Sequence, residues 1–490
     1  MTFAKALFTI TATLTLLAAQ AFASLSINGP SRIGVPLNKP FVYLIPATGD
    51  GSFSFMASGL PHGLKLDSKT GIITGSAKDE GSHEVLFTTY SRSSSANKKV
   101  EMVVSASQSV MALTPTMGWN PWYVWGCNID DKKIRQAADL LVSTGLAGYG
   151  YNYINLDDCW QGKRDAKGEM VPNSRFPDMK SLADYVHSKG LRIGIYTGPG
   201  QKTCGGYQAS EGHIEQDVML YAKWGMDFIK YDWCKPQVKE LAPYVDVYKE
   251  MGEILARSPR AMGYMICEYG INEPWKWGAQ VGGNMWRTDH DLADEWAAIL
   301  RNGFGRVPLA IYQKPGHWND LDMLMVGKAN WPVRLGSYTI PSDPPRATKL
   351  SVDEQLTHIS LWSLMASPLL FSGDLSQLDA HSMRMLTNKE VLDINQDALG
   401  SPAKRLRDSN GQQVIGRRLS DGSIAVGFFN LGNTSQVIRF DYKNLGLPEG
   451  RQIKVRNLWS GREALSEPHH TAVKADVPAH GVVFMKMSAQ

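Results

Sequence analysis

At 490 residues the chain is too long for one ordinary domain, and 43% apolar with 20% charged residues is the composition of a folded protein. Fifty-one Lys and Arg against 47 Asp and Glu leave a formal net charge of +4. That is close to neutral for this length, so nothing points to a nucleic-acid or polyanion partner. Coiled coils, repeat arrays and metal clusters find no support in the pattern.

The N-terminus reads as a secretory leader. Lys5 supplies a positive charge, an apolar stretch runs to Ala19, and Ala21-Phe22-Ala23 offers a small-x-small cleavage site. About 14 apolar residues fall short of the roughly 20 that span a bilayer, so residues 1–23 are expected to be a signal peptide, not an anchor. The mature chain is then expected outside the cell or in a periplasm. There the five cysteines, Cys127, Cys159, Cys204, Cys234 and Cys267, read as two disulfides and one buried thiol. No CxxC pair offers a zinc site.

Residues 24–107 read as short strands separated by Gly, Ser, Asn and Asp, among them Phe41–Leu44, Gly71–Thr74 and His83–Thr88. The run from Gly59 to Gly75 resembles the small immunoglobulin-like modules of bacterial surface and secreted enzymes, which implies a β-sandwich. Over 108–400 strands alternate with helices. Expected strands include Met117–Asn120, Tyr151–Leu156, Arg192–Tyr196, Phe228–Tyr231, Gly263–Cys267, Gly283–Trp286, Trp318–Asp322 and Pro368–Ser372. Helices are expected over Asp130–Ser143, Met179–Lys189, Ile214–Trp224 and Val352–Met365. About eight such units in this length predict a (β/α)8 TIM barrel. No glycine-rich phosphate loop favours the doubly wound alternative. Residues 401–490 return to short alternating strands and predict a C-terminal antiparallel β-sandwich.

In a barrel, the C-terminal strand ends converge on one mouth. Here they carry Trp119, Asp157 and Asp158, Tyr196, Lys230 with Asp232, Glu268, Arg287 with Asp289 and Asp291, and Asp320 with Asp322. So many carboxylates need either a divalent metal or a polyhydroxylated ligand. His290 and His317 are the only nearby imidazoles, at irregular spacing, whereas Trp119 and Tyr196 suit the CH face of a sugar. Hydrolysing a glycosidic bond takes two carboxyls in different environments. Asp232 follows Lys230 by two residues on one strand face, so the ammonium is expected to hold its pKa low. An ordinary strand-end ion pair would show the same spacing. Either Asp289 or Asp291 supplies the second carboxyl, and spacing does not separate them.

The chain resembles glycoside hydrolase family 27, the α-galactosidases and α-N-acetylgalactosaminidases. The blocks that carry the likeness include Met117-Gly118-Trp119-Asn120, Leu156-Asp157-Asp158-Cys159-Trp160, Lys202-Thr203-Cys204, Lys230-Tyr231-Asp232, Cys267-Glu268, Trp286-Arg287, Trp318-Asn319-Asp320 and Ile394-Asn395-Gln396-Asp397. The resemblance implies a retaining hydrolase with carboxyls about 5–5.5 Å apart and no metal or cofactor. It implies Asp232 as nucleophile and Asp291 as general acid/base; Asp289 has no carboxylate counterpart in the family and is expected to tune its neighbour's pKa. Asp157 and Asp158 would grip the C4 and C6 hydroxyls, Trp119 would stack on the sugar, Lys230 would hold the C3/C4 side, and Arg287 with Glu268 would sit near C2. Tyr196, Cys204 and Asp322 would complete the pocket. Cys127–Cys159 and Cys204–Cys234 match family disulfides, while Cys267 lacks its partner.

Glu268 followed by Ile271 favours a free C2 hydroxyl over an acetamide, hence a secreted exo-α-galactosidase. The segment Asn330 to Leu350 is expected to shape the leaving-group side. α-N-acetylgalactosaminides and β-L-arabinopyranosides are alternative substrates of the same mechanism. A galactose-binding protein without catalysis and a metal-dependent hydrolase are more distant readings.

Overall fold

A computed structural model describes residues 24–234, 241–330, 345–448, 450–467 and 471–490. The expected leader, and most of the segment between Asn330 and Leu350, lie outside the described residues.

Eight parallel strands form the central sheet in sequence order: Met117–Trp119, Tyr153–Asn155, Arg192–Thr197, Phe228–Asp232, Gly263–Cys267, Met285–Arg287, Trp318–Asp320 and Leu369–Phe371. The eighth pairs with the first, and a parallel bridge between Leu324 and Phe371 closes the ring just beyond the seventh. Helices Asp131–Ser143, Met179–Ser188, Ile214–Trp224 and Val352–Leu364 fall within a residue or so of expectation because their starts are written locally. Asp130 and Asp178 each accept a bond from a first-turn N–H, and Ser351 with Glu354 makes a reciprocal capping box. Helix Leu241–Arg257, helix Trp296–Asn302 and the 3₁₀ segment Phe304–Tyr312 were not anticipated from sequence.

The barrel interior follows from the two-residue period of a strand. Tyr153, Phe228, Met265, Met285 and Trp318 pack together as an apolar floor. Two residues further along, Asn155, Lys230, Cys267, Arg287 and Asp320 occupy the next layer toward the mouth, and Asp232 lies in register with Cys267. The outward residues, such as Ile229, Tyr231 and Ile266, join the large core under the helices.

At the opposite end of the strands, Asp227 ties three elements together. Its carboxylate meets His187 at 2.7 Å, accepts the Ile193 N–H at 2.9 Å and pairs with Arg260 Nε at 3.1 Å. Burial alone would raise its pKa, but His187 and Arg260 hold it down to about 2. A carboxyl depressed in the fold stabilises it above the unfolded value near 4, and this support fades as pH falls toward 2. Asp227→Asn is expected to cost about 2–4 kcal/mol by stranding partly buried Arg260, read from the urea midpoint at pH 7. The deficit should shrink as both proteins approach pH 2, and an unchanged midpoint at pH 7 would refute this account.

Two β modules flank the barrel. On the N-terminal side, a four-stranded sheet (Arg32–Pro36, Ser54–Ser58, Gly81–Tyr90, Ser95–Ser105) faces a three-stranded one (Phe41–Leu44, Leu64–Leu66, Ile72–Gly75) over a core that includes Val35, Ile73, Val85 and Phe87. Arg192 Nε, from the start of the third barrel strand, donates to Val42 O at 3.1 Å across this junction. A pocket lined by Arg32, Tyr43, Met117, Tyr153 and Arg192 lies at that junction, at the strand starts and away from the carboxylates. On the C-terminal side, a six-stranded antiparallel sheet packs on the separate two-stranded ladder Gln436–Asp441/Ala472–Val477 through a shared core that includes Val426, Phe428, Ile438 and Ala475. Ile415, Phe429 and Phe484 of that sheet belong to the barrel's own core, so the two share one apolar interface.

Candidate active site

Asp232 ends the fourth barrel strand, 4% exposed. Tyr196, on the third strand, donates its hydroxyl to Oδ2 at 3.0 Å. Lys230 Nζ lies 3.9 Å from the same oxygen but only 3.1 Å from Asp157 Oδ2. The other oxygen, Oδ1, is buried with no close hydrogen-bond partner among the described residues. The sequence led us to expect a lowered Asp232 pKa. It is raised instead, because burial outweighs Lys230, whose ammonium sits closer to Asp157, and because Asp291 adds repulsion.

Asp157 accepts from Asn120 at 2.7 Å as well as from Lys230. Asp158 accepts the N–H groups of Cys159 and Gly205 at 2.7 and 2.6 Å, and burial still pushes its pKa up to about 6. Burial likewise lifts Asp320 to about 6.

Structure separates the two carboxyls that sequence left open. Asp289 is buried, bonded to Arg306 Nε at 2.9 Å and near Arg301 Nε at 3.5 Å, so it anchors the segment beneath the mouth. These arginines occupy its carboxylate. Asp291 has a side chain 55% exposed, and Arg287 Nη2 holds its Oδ1 at 3.1 Å. Its charge is felt at Asp232.

Three expected contacts take another form. Trp119 alternates with the inward Gly118 and Asn120, so it points out of the barrel. It is fully buried in the outer core, its indole N–H bound to Gly373 O at 2.8 Å, and it offers no face to a sugar. The partly exposed indoles that follow are Trp122 and Trp125, on the short helix Trp122–Trp125. Asp322 holds other protein groups, since its Oδ2 meets Tyr123 Oη (2.7 Å), Leu292 N (2.7 Å) and Arg287 Nη2 (3.0 Å), and Oδ1 accepts from Met323 N (2.8 Å). With its lone pairs taken, it orients Arg287 and has little left for a ligand. Glu268 bonds through Oε2 to Asn272 N and Nδ2 at 2.8 and 3.1 Å, within its own loop. Its Oε1 is buried without a partner among the described residues, and burial moves its pKa up to about 7.

Disulfides Cys127–Cys159 and Cys204–Cys234 tie neighbouring loops at the mouth, with Cα separations of 5.2 and 5.0 Å, and Cys267 is a buried thiol. Cys204, Cys234 and Asp232 lie close enough together to suggest a metal. The two sulfurs are bonded to each other, however, so the cluster supplies one anionic ligand and not three. Sequence reasoning assigned no role to Asn120 or Tyr123. Both sit in the run that opens at Met117, and a polar or phenolic group just after a barrel strand was the available signal.

A closed parallel barrel whose mouth gathers a buried, phenol-bonded Asp, a rim Asp held by Arg, and a Lys–Asp pair is the architecture of a barrel glycosidase. The family model described as alpha galactosidase A matches residues 114–335 and 346–397, the alpha galactosidase C-terminal beta sandwich domain matches 409–487, and an Ig domain model matches 23–105. Alpha-galactosidase A of Cellvibrio japonicus is 37% identical over 77% of this chain and 93% of its own length. The crystal structure of alpha-galactosidase I from Mortierella vinacea aligns with a TM-score of 0.69 at 31% identity, covering 77% of this chain and 97% of that one. A Bacteroides fragilis protein of solved structure covers 95% of this chain and 97% of its own at a TM-score of 0.86 and 31% identity, which extends the likeness to the N-terminal module. The chain belongs to the alpha-galactosidase family of glycoside hydrolases, family 27.

Proposed function

We propose that the protein is a retaining exo-α-galactosidase in which Asp232 is the nucleophile and Asp291 the general acid/base. The observation that carries this is the contrast between the two carboxyls. Asp232 is fixed deep in the mouth by Tyr196 and faces Lys230. Asp291 sits at the exposed rim, where a leaving group departs and water enters.

In the first step a carboxylate oxygen of Asp232 bonds to C1 of the galactosyl unit while the C1–O bond to the leaving group breaks, and Asp291 delivers a proton to the leaving-group oxygen. In the second, Asp291 takes a proton from water, whose oxygen attacks C1 and releases Asp232. Two inversions at one carbon return the starting configuration. Asp157, Asp158, Lys230 and Arg287 are the polar groups placed to bind the sugar hydroxyls. Because burial raises the Asp232 pKa, the acid limb of kcat/KM is expected above the ordinary aspartate range.

Galactose is the proposed glycone, and α-N-acetylgalactosaminides and β-L-arabinopyranosides are the comparisons. Specificity constants for the three p-nitrophenyl glycosides test it: α-galactoside should lead by at least about tenfold, and a lead for either competitor overturns the substrate assignment. The leader pattern of residues 1–23 and the two disulfides support export from the cytoplasm. Among the described residues no helix is long and apolar enough to cross a membrane.

A further inference from the structure

Tyr269 follows Glu268 at the end of the fifth barrel strand with φ of +60°, a left-handed conformation that costs a bulky residue energy and persists only where surroundings impose it. The cause lies next door. Gly270, at φ +73°, runs so close to the sixth strand that a Cβ there would stand 2.2 Å from Thr288 O. The turn is thereby pressed against the chain that leads to Asp291, and the Tyr269 ring is sent across the mouth. It stacks on His290 with centroids 5.9 Å apart, and the Arg287 guanidinium stands 5.9 Å from its centre.

At the far end of that ring the hydroxyl touches both sulfurs of the Cys204–Cys234 bridge, 3.6 Å from one and 3.5 Å from the other. Cys204 Sγ is in turn 3.5 Å from Asp232 Oδ2, and Tyr196 Oη reaches that oxygen at 3.0 Å and Cys234 Sγ at 3.9 Å. These contacts close into a ring: carboxylate, phenol, sulfur, phenol, sulfur. Disulfide sulfur accepts weakly, so the better acceptor of the Tyr269 hydroxyl is the Asp232 carboxylate, whose pKa this hydrogen bond lowers against the larger, opposing effect of burial. Beside it, the Oδ1 of Asp232 is buried and, among the described residues, makes no other close polar contact.

We infer that Tyr269 is a positioning residue, its hydroxyl acting with Tyr196 across the disulfide to hold the Asp232 carboxylate in line for attack. This rests on Asp232 being the nucleophile. Tyr196 approaches from the third strand, and Tyr269 from the loop after the fifth. Lys230 and, through it, Asp157 face the carboxylate from the fourth and second strands. Cys267 faces it from the fifth, and Asp291 from beyond the sixth. Phenols that donate to a carboxylate favour its charged form, so losing one moves its titration upward.

Tyr269→Phe keeps the ring, its stacking and the turn while deleting the oxygen. The test compares wild type and Tyr269→Phe in two assays: kcat/KM against pH, and trapping by a 5-fluoro-α-galactosyl fluoride followed by peptide mapping. We expect label on Asp232 in both proteins, trapping about tenfold slower in the variant, an acid limb displaced to higher pH, and galactose affinity within about twofold of wild type. Label on Asp232 at an unchanged rate and pH profile overturns the role of Tyr269 alone. Label on another residue overturns the nucleophile, and this inference with it. Slower trapping with galactose affinity lost in parallel marks a general disturbance of the pocket and also rejects the positioning role.

Discussion

Asp232→Asn is expected to lower turnover of p-nitrophenyl α-galactoside by about 10⁴-fold or more, since an amide keeps the shape but cannot form the glycosyl ester. The amide oxygen still accepts from Tyr196, so the mouth should keep its geometry. Binding should therefore survive: Asp157, Asp158 and Arg287 are held by Asn120, Gly205 and Asp322, none of which needs the Asp232 charge. Galactose titrated into the variant should bind within a few-fold of wild type. A variant that retains a tenth of wild-type turnover would remove Asp232 from the mechanism, while one that loses both turnover and binding would assign it to the fold.

Asp291→Ala should behave differently, because acid and base assistance contributes about 10²–10⁴-fold and matters most where the leaving group is poor. Hydrolysis of an alkyl α-galactoside should fall by that factor. With p-nitrophenolate, which needs no proton to depart, glycosylation should persist and the covalent intermediate accumulate as a burst. Sodium azide needs no general base and should restore turnover, and NMR should show the α-galactosyl azide. Removing Asp291 frees Arg287 Nη2 of one partner but leaves Asp322 to hold it, so the fold should be undisturbed. Absence of both burst and azide adduct would return the assignment to another carboxyl. A β-azide would show that the displacement at C1 is single.

Much of this was legible before any coordinates. The two-residue period of the strand containing Lys230 and Asp232 placed both on one face, and the floor-then-site order, Phe228 then Lys230 then Asp232, is the same arithmetic read inward. Helix starts were legible because capping is local: Asp130, Asp178 and Ser351 satisfy first-turn N–H groups from within three residues. The same alternation, applied to the first strand, would have turned Trp119 outward. A tryptophan at a strand end was given to the sugar because its chemistry suits a sugar, although the register assigns it to the outer core.

Sequence by itself therefore determined the kinds of groups at the mouth, the strands that carry them and the family to which the chain belongs, since these depend on residue identity and short-range period. Tertiary structure alone decided what each group does with its charge. Asp289 and Asp291 are two residues apart and chemically identical, yet one is buried against Arg306 and Arg301 while the other stands exposed at the rim. Asp232 has a lysine two residues away, but burial and the nearer claim of Asp157 on that lysine set its proton affinity. Coulomb interactions and desolvation depend on distance through space and on the medium between charges, and neither quantity is written along a chain.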